Sequence, residues 1–88
     1  MLHMNPPARP QALVTALQLG QLLRSARKQR KLTQAEVAGR LGLSQNRVSH
    51  LELHAGELSF KQLLAWCAVV GLELQLAERH APAPAAEW

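Results

Sequence analysis

Gln45, Asn46, Ser49 and His50 fall within six residues, and each carries hydrogen-bonding groups on a short side chain. Their spacing sets them on the outward side of a helix whose inward side is Val48 and Leu51. Groups of this kind can read the edges of base pairs: Gln and Asn pair bidentately with adenine, and Arg with guanine. Ser44 and Arg47 stand beside them, and the first N–H groups of such a helix are open to phosphate. Small polar residues on an exposed helix often do nothing at all. What surrounds them decides between the two readings.

Other chemistries find less support. His50 and His54 are four apart, a spacing that can share a metal on a helix. No third ligand is in view, so no metal is expected. Cys67 lies on the apolar side of a later helix and reads as a small buried hydrophobe. The chain has no Asp, its six Glu are scattered, and neither a Gly-rich phosphate loop nor a Ser-His-acid set can be assembled. No enzyme activity, cofactor or small-molecule substrate is expected.

The elements that must position the polar cluster follow from periodicity and capping. Three prolines between Pro6 and Pro10 make residues 1–12 a flexible arm. Leu19, Leu22, Leu23 and Ala26 predict a first helix from near Thr15 to about Lys31, with a cationic last turn that suits the helix dipole. Thr33 with Glu36 has capping-box spacing, so a second helix runs from Gln34 to Leu41 with Val37, Ala38 and Leu41 inward. Gly42 stops it. Ser44 caps a third helix, Gln45 to about Leu53, and residues 54–58 form a loop. Ser59 caps a fourth, Phe60 to Val70, with Leu63, Leu64, Cys67 and Val70 inward and Trp66 one step off that stripe, either core or an interface residue. Leu72-Glu73-Leu74-Gln75-Leu76 alternates, which predicts one short strand with Leu72, Leu74 and Leu76 on its apolar face. A lone strand needs a partner, and its twin in a second subunit is the simplest one. The organisation expected is an arm at 1–12, a helical domain at 13–71, a dimerisation strand at 72–79 and a disordered tail at 80–88.

Composition agrees with a mostly α fold. Eighty-eight residues make one small domain, 48% of them hydrophobic and only 3% aromatic, so the core must be aliphatic. So small a chain gains from dimerising. A single cysteine and no visible signal peptide point to the reducing cytoplasm, and no apolar run is long enough for a membrane. Charge is asymmetric. Residues 24–47 hold seven cations, among them Arg27, Lys28 and Lys31, against Glu36 alone, a net of +6. Residues 48–88 hold two cations against five Glu, a net of −3. A basic half points to a polyanion partner. Two short helices joined at Gly42, with basic residues just before them, make a helix-turn-helix, and the polar cluster sits on its second helix.

Leu32-Thr33-Gln34-Ala35-Glu36-Val37-Ala38, Leu41-Gly42-Leu43-Ser44-Gln45, Val48-Ser49 and Leu51-Glu52 together resemble the Xre-type, lambda-repressor-like helix-turn-helix family over residues 19–76. The resemblance implies a lambda-repressor-like bundle of four to five helices. It implies that Gln34 grips a phosphate, that Gln45, Asn46, Ser49 and His50 read bases with Ser44 and Arg47 beside them, and that Glu52 ties the pair to a basic side chain of the first helix. His54 departs from the pattern, standing where the family often has Gly, and His tolerates a left-handed backbone better than most residues.

Leu58-Ser59, Gln62-Leu63-Leu64, Gly71 through Leu76 and the terminal Glu87-Trp88 resemble HipB-type antitoxins more narrowly. That resemblance implies a homodimer joined through paired strands, repression of its own operon at a palindromic double-stranded operator, and a HipA-type serine/threonine kinase toxin as partner. It makes Trp88 an anchor on that toxin. The alternatives are a stand-alone Xre-type repressor without a toxin, and an interaction adaptor that has lost DNA binding.

Overall fold

The computed structural model describes residues 10–79. The arm residues 1–9, the tail 80–88 and Trp88 lie outside that range. Four α-helices follow in order: α1 Ala16–Gln29, α2 Gln34–Leu41, α3 Gln45–Leu53 and α4 Phe60–Val70.

Each helix begins where a side chain satisfies its open N–H groups. Thr15 Oγ1 accepts the Gln18 N–H at 3.0 Å to start α1. Thr33 and Glu36 form a complete capping box, with Thr33 Oγ1 accepting the Glu36 N–H at 3.0 Å and Glu36 Oε1 accepting the Thr33 N–H at 2.7 Å. The hydrogen bond from the Thr33 backbone, with that from its side chain, holds the Glu36 carboxyl below the usual carboxylate range. Ser44 caps α3 through the Arg47 N–H at 3.0 Å. Ser59 caps α4 in a second capping box, closed by Gln62.

The helix ends are more varied. Gly42, at φ +70°, turns the chain between α2 and α3, and the Leu43 N–H reaches back to the Ala38 carbonyl at 2.9 Å. The same device ends α1, but there Lys31 takes the left-handed position at φ +58°, with the Leu32 N–H on the Arg27 carbonyl at 3.0 Å. The sequence pattern did not single out that turn. His54 needs no left-handed tolerance, because its φ is −130°. Residues Ala55–Glu57, expected as loop, form one turn of 3-10 helix, and Ala55 is buried under it.

The core is Leu23 and Ala26 of α1, Val37 and Ala38 of α2, Val48 and Leu51 of α3, and Trp66, Cys67 and Val70 of α4. Helix α2 packs on α3 and α4, while α1 packs on α3, on α4 and on the 3-10 turn. The inward stripe of α4 is rotated from the expected one: Trp66 is fully buried and Leu64 is 45% exposed. Trp66 buries more surface than a leucine can, so it takes the centre of the stripe. Its indole Nε1–H is buried without a partner. Burial pushes the Cys67 thiol up, as expected of a small core residue.

The expected strand is not formed. Among the described residues there is no β-structure, and residues 72–79 are irregular. A single strand in one chain has no partner to complete its hydrogen bonds, which is the physical reason. Leu72 and Leu74 are each 38% exposed and Leu76 is 98% exposed.

Candidate nucleic-acid interface

The site is built on α3, anchored from below by Val48, Leu51 and Glu52, all buried. With those three facing inward, Asn46, Ser49, His50 and Leu53 come to the outer side of the helix. Gln45, Asn46 and Arg47 are exposed, and Ser49 and His50 are half-buried. The side chains of Gln45, Asn46 and Ser49 make no hydrogen bond to another described residue, so their donors and acceptors are free. Ser44 uses its oxygen on the Arg47 N–H, which leaves its hydroxyl hydrogen to donate outward.

Beneath this face lies a buried ion pair. Arg27 Nε donates to Glu52 Oε2 at 2.6 Å and Arg27 Nη2 to Glu52 Oε1 at 3.2 Å, a bidentate arrangement. Arg27 Nη1 donates to the Leu32 carbonyl at 3.0 Å. The side chains of Arg27 and Glu52 are 9% and 2% exposed. Glu52 thus ties α3 to α1 through Arg27, as the family resemblance implied. The same geometry sets Arg27, expected among the DNA-contacting cations, apart from the exposed ones: its guanidinium is buried and committed to Glu52 and the Leu32 carbonyl.

Gln34, expected to grip a phosphate, joins the pair. Its Nε2 donates to Glu52 Oε1 at 3.1 Å. One amide hydrogen is spent and the second remains. The network therefore fixes where the amide of Gln34 stands, at the start of α2.

The other cations differ from Arg27. Arg24, Lys28, Lys31 and Arg40 are exposed. Arg30 is exposed too, but its guanidinium lies over Gly71, where α4 ends and the helix dipole favours a cation.

Two features were not read from the sequence. Leu53 is 65% exposed on the outer side of α3, the kind of apolar group that meets a thymine methyl. Glu57, on the 3-10 turn, faces the flank of α3: His50 Nε2 is 2.9 Å from Glu57 Oε1, and Arg47 Nη1 is 3.8 Å from the same oxygen. The hydrogen bond from His50 holds the Glu57 carboxyl below the usual range. His50 also stacks on His54, ring centroids 4.5 Å apart. No signal in the sequence marked Glu57, because its partner is seven residues away across a turn.

Among the described residues no group of three or more His, Cys, Asp or Glu is gathered as a metal site, and no helix is long and apolar enough to cross a membrane. No curated protein matches the chain. A family model described as a helix-turn-helix domain matches residues 18–80, well over half of the chain, from the first turn of α1 through the end of α4. With capped α2 and α3 meeting at Gly42 and a polar outer face on α3, the chain belongs to this family of Xre-like helix-turn-helix domains.

Proposed function

We propose that the chain is a transcriptional repressor that binds double-stranded operator DNA as a homodimer, with α3 in the major groove. The observation that carries this is the free polar face of α3, standing on a buried ion-pair base beside exposed cations. Gln45, Asn46, Ser49 and His50 read bases, with Arg47 beside them. Lys28, Lys31 and the second amide hydrogen of Gln34 hold phosphates, with Ser44 donating at the start of α3. Leu72, Leu74 and Leu76 of two subunits close the dimer, and a palindromic operator matches the two-fold axis.

The finer reading is an antitoxin that represses its own operon and neutralises a HipA-type kinase toxin, with Trp88 as the anchor. Its support is the likeness of the C-terminal third and the terminal Glu87-Trp88 to HipB-type antitoxins. Co-purification of the product of an adjacent kinase gene tests it. Loss of that co-purification on deleting Glu87 and Trp88 tests the anchor.

The DNA reading is tested by titrating duplex DNA at several salt concentrations. Log affinity should fall linearly with log salt, with a slope of about −0.9 per phosphate neutralised. Gln45→Ala or Asn46→Ala should cost about 1–3 kcal/mol on a selected duplex and little on a random one. A salt slope near zero, or equal losses on both duplexes, refutes the assignment.

A further inference from the structure

We propose that Glu57 is a specificity-determining residue of this interface: its carboxylate fixes the hydrogen-bonding pattern of His50, restrains Arg47, and keeps that flank of α3 for base edges rather than phosphates. The proposal rests on the DNA-binding reading above and extends it to a residue outside the helix-turn-helix pair.

An ionised carboxylate accepts hydrogen bonds and cannot donate them. The nitrogen of His50 that lies 2.9 Å from Glu57 Oε1 is Nε2, so Nε2 must carry the hydrogen. In the neutral ring, Nδ1 is then left as a bare acceptor. The major groove offers it two donors, the exocyclic amines of adenine and cytosine, while guanine offers only acceptors. Without Glu57 the ring could take either tautomer, and the preference would blur. His54, stacked on the ring at 4.5 Å, limits its rotation and leaves the tautomer to Glu57.

Charge supplies the second part. Arg47 sits on the same flank of α3, and on its own it would seek a phosphate. Glu57 Oε1, 3.8 Å away, offsets that attraction and repels phosphate oxygens itself. The pair is solvent-exposed, with side chains 45% and 53% exposed, so its worth to folding is small and its effect falls on what approaches from outside. An acid that weakens general DNA binding while sharpening base choice is a device for discrimination.

Two variants separate the parts. Glu57→Ala removes both acceptor and charge, while Glu57→Gln keeps an acceptor oxygen and removes the charge. A random 30-bp duplex pool and a duplex enriched from it by the native chain serve as probes. Both variants should bind the random pool about threefold or more tighter at low salt, the order of one unit charge at contact distance in water. Both should steepen the salt slope by about one. Glu57→Ala should also reduce the ratio of enriched to random affinity by about tenfold, and Glu57→Gln by a smaller factor, because its amide oxygen can still accept from Nε2 while its NH2 can face the other tautomer.

A readout without DNA is the nitrogen NMR of His50 in the neutral-ring form. The native chain should show hydrogen on Nε2, and Glu57→Ala should show a mixture. An unchanged tautomer, salt slope and affinity ratio in Glu57→Ala would overturn the proposal. So would a uniform loss on both probes, which marks Glu57 as merely structural. If the native chain binds neither probe, the DNA reading fails and the role in base choice with it, whatever the NMR shows; binding by the native chain with an unmoved ratio fails this proposal alone.

Discussion

Glu52 joins three elements at one residue: it receives Arg27 from α1 and Gln34 from α2 while sitting on α3. A buried pair of this kind is costly to break from one side, because the remaining charge is stranded. Glu52→Ala should therefore lower the unfolding free energy by about 3–5 kcal/mol, measured by denaturant titration. Arg27→Met with Glu52→Leu should lose far less, since both charges leave together. Equal losses in the two variants would contradict the account. The family pattern made Glu52 legible as a structural acid, and its basic partner was expected on the first helix. Which cation it was could not be read, because Arg24, Arg27, Lys28, Arg30 and Lys31 all lie within two turns and only the helix rotation selects Arg27. The same ambiguity explains Trp66. A stripe of Leu63, Leu64, Cys67 and Val70 and one of Leu63, Trp66, Cys67 and Val70 differ by a small rotation of α4, and side-chain bulk settled it.

At the scale of the elements, local chemistry was the most legible. Thr33, Ser44 and Ser59 each start a helix as their types dictate, and Gly42 and Gly71 each stop one in the left-handed region. Lys31 stops α1 in that region too, against its type. A β-carbon there costs about 1–2 kcal/mol relative to glycine. Lys31→Gly should raise the melting temperature of the domain while weakening binding to random DNA through the lost cation. Unchanged or reduced stability would show that the turn is not strained. Gly20 of α1 was not legible at all: an added β-carbon would collide with the Glu52 carbonyl, so the close approach of α1 to α3 depends on it. Such a contact joins residues far apart in the chain and leaves no local trace.

The start of α2 also carries a pH dependence. Glu36 has its folded pKa depressed by the Thr33 hydrogen bonds, so the stability it adds is present above its unfolded pKa and is lost as pH falls through the folded value. In acid titrations followed by circular dichroism, Glu36→Gln should flatten that loss at and below the ordinary carboxylate range. A slope identical to the native one would remove Glu36 from the linkage.

The scale of the whole molecule is where the sequence and one chain part. Strict alternation over 72–76 predicts a strand, yet the isolated chain leaves it unformed, because backbone pairing needs a second edge. One of the three leucines makes the assembly testable without disturbing the subunit. Leu72 and Leu74 keep most of their surface covered, so a charge at either site perturbs the subunit as well as any dimer. Leu76 is 98% exposed, and a charge there costs the single chain nothing in burial. In a dimer of paired strands the same residue would be covered, and a buried unpaired carboxylate would be expensive. Leu76→Asp should therefore leave the helical signal and melting of the monomer intact and shift the dimer to monomer in sedimentation equilibrium. Its affinity for a two-half-site duplex should fall, with a salt slope about half that of the dimer, because one subunit neutralises half the phosphates. A Leu76→Asp chain that still sediments as a dimer would place the subunit contact elsewhere. A native chain that sediments as a monomer at micromolar concentration and still binds DNA would show that one helix-turn-helix acts alone.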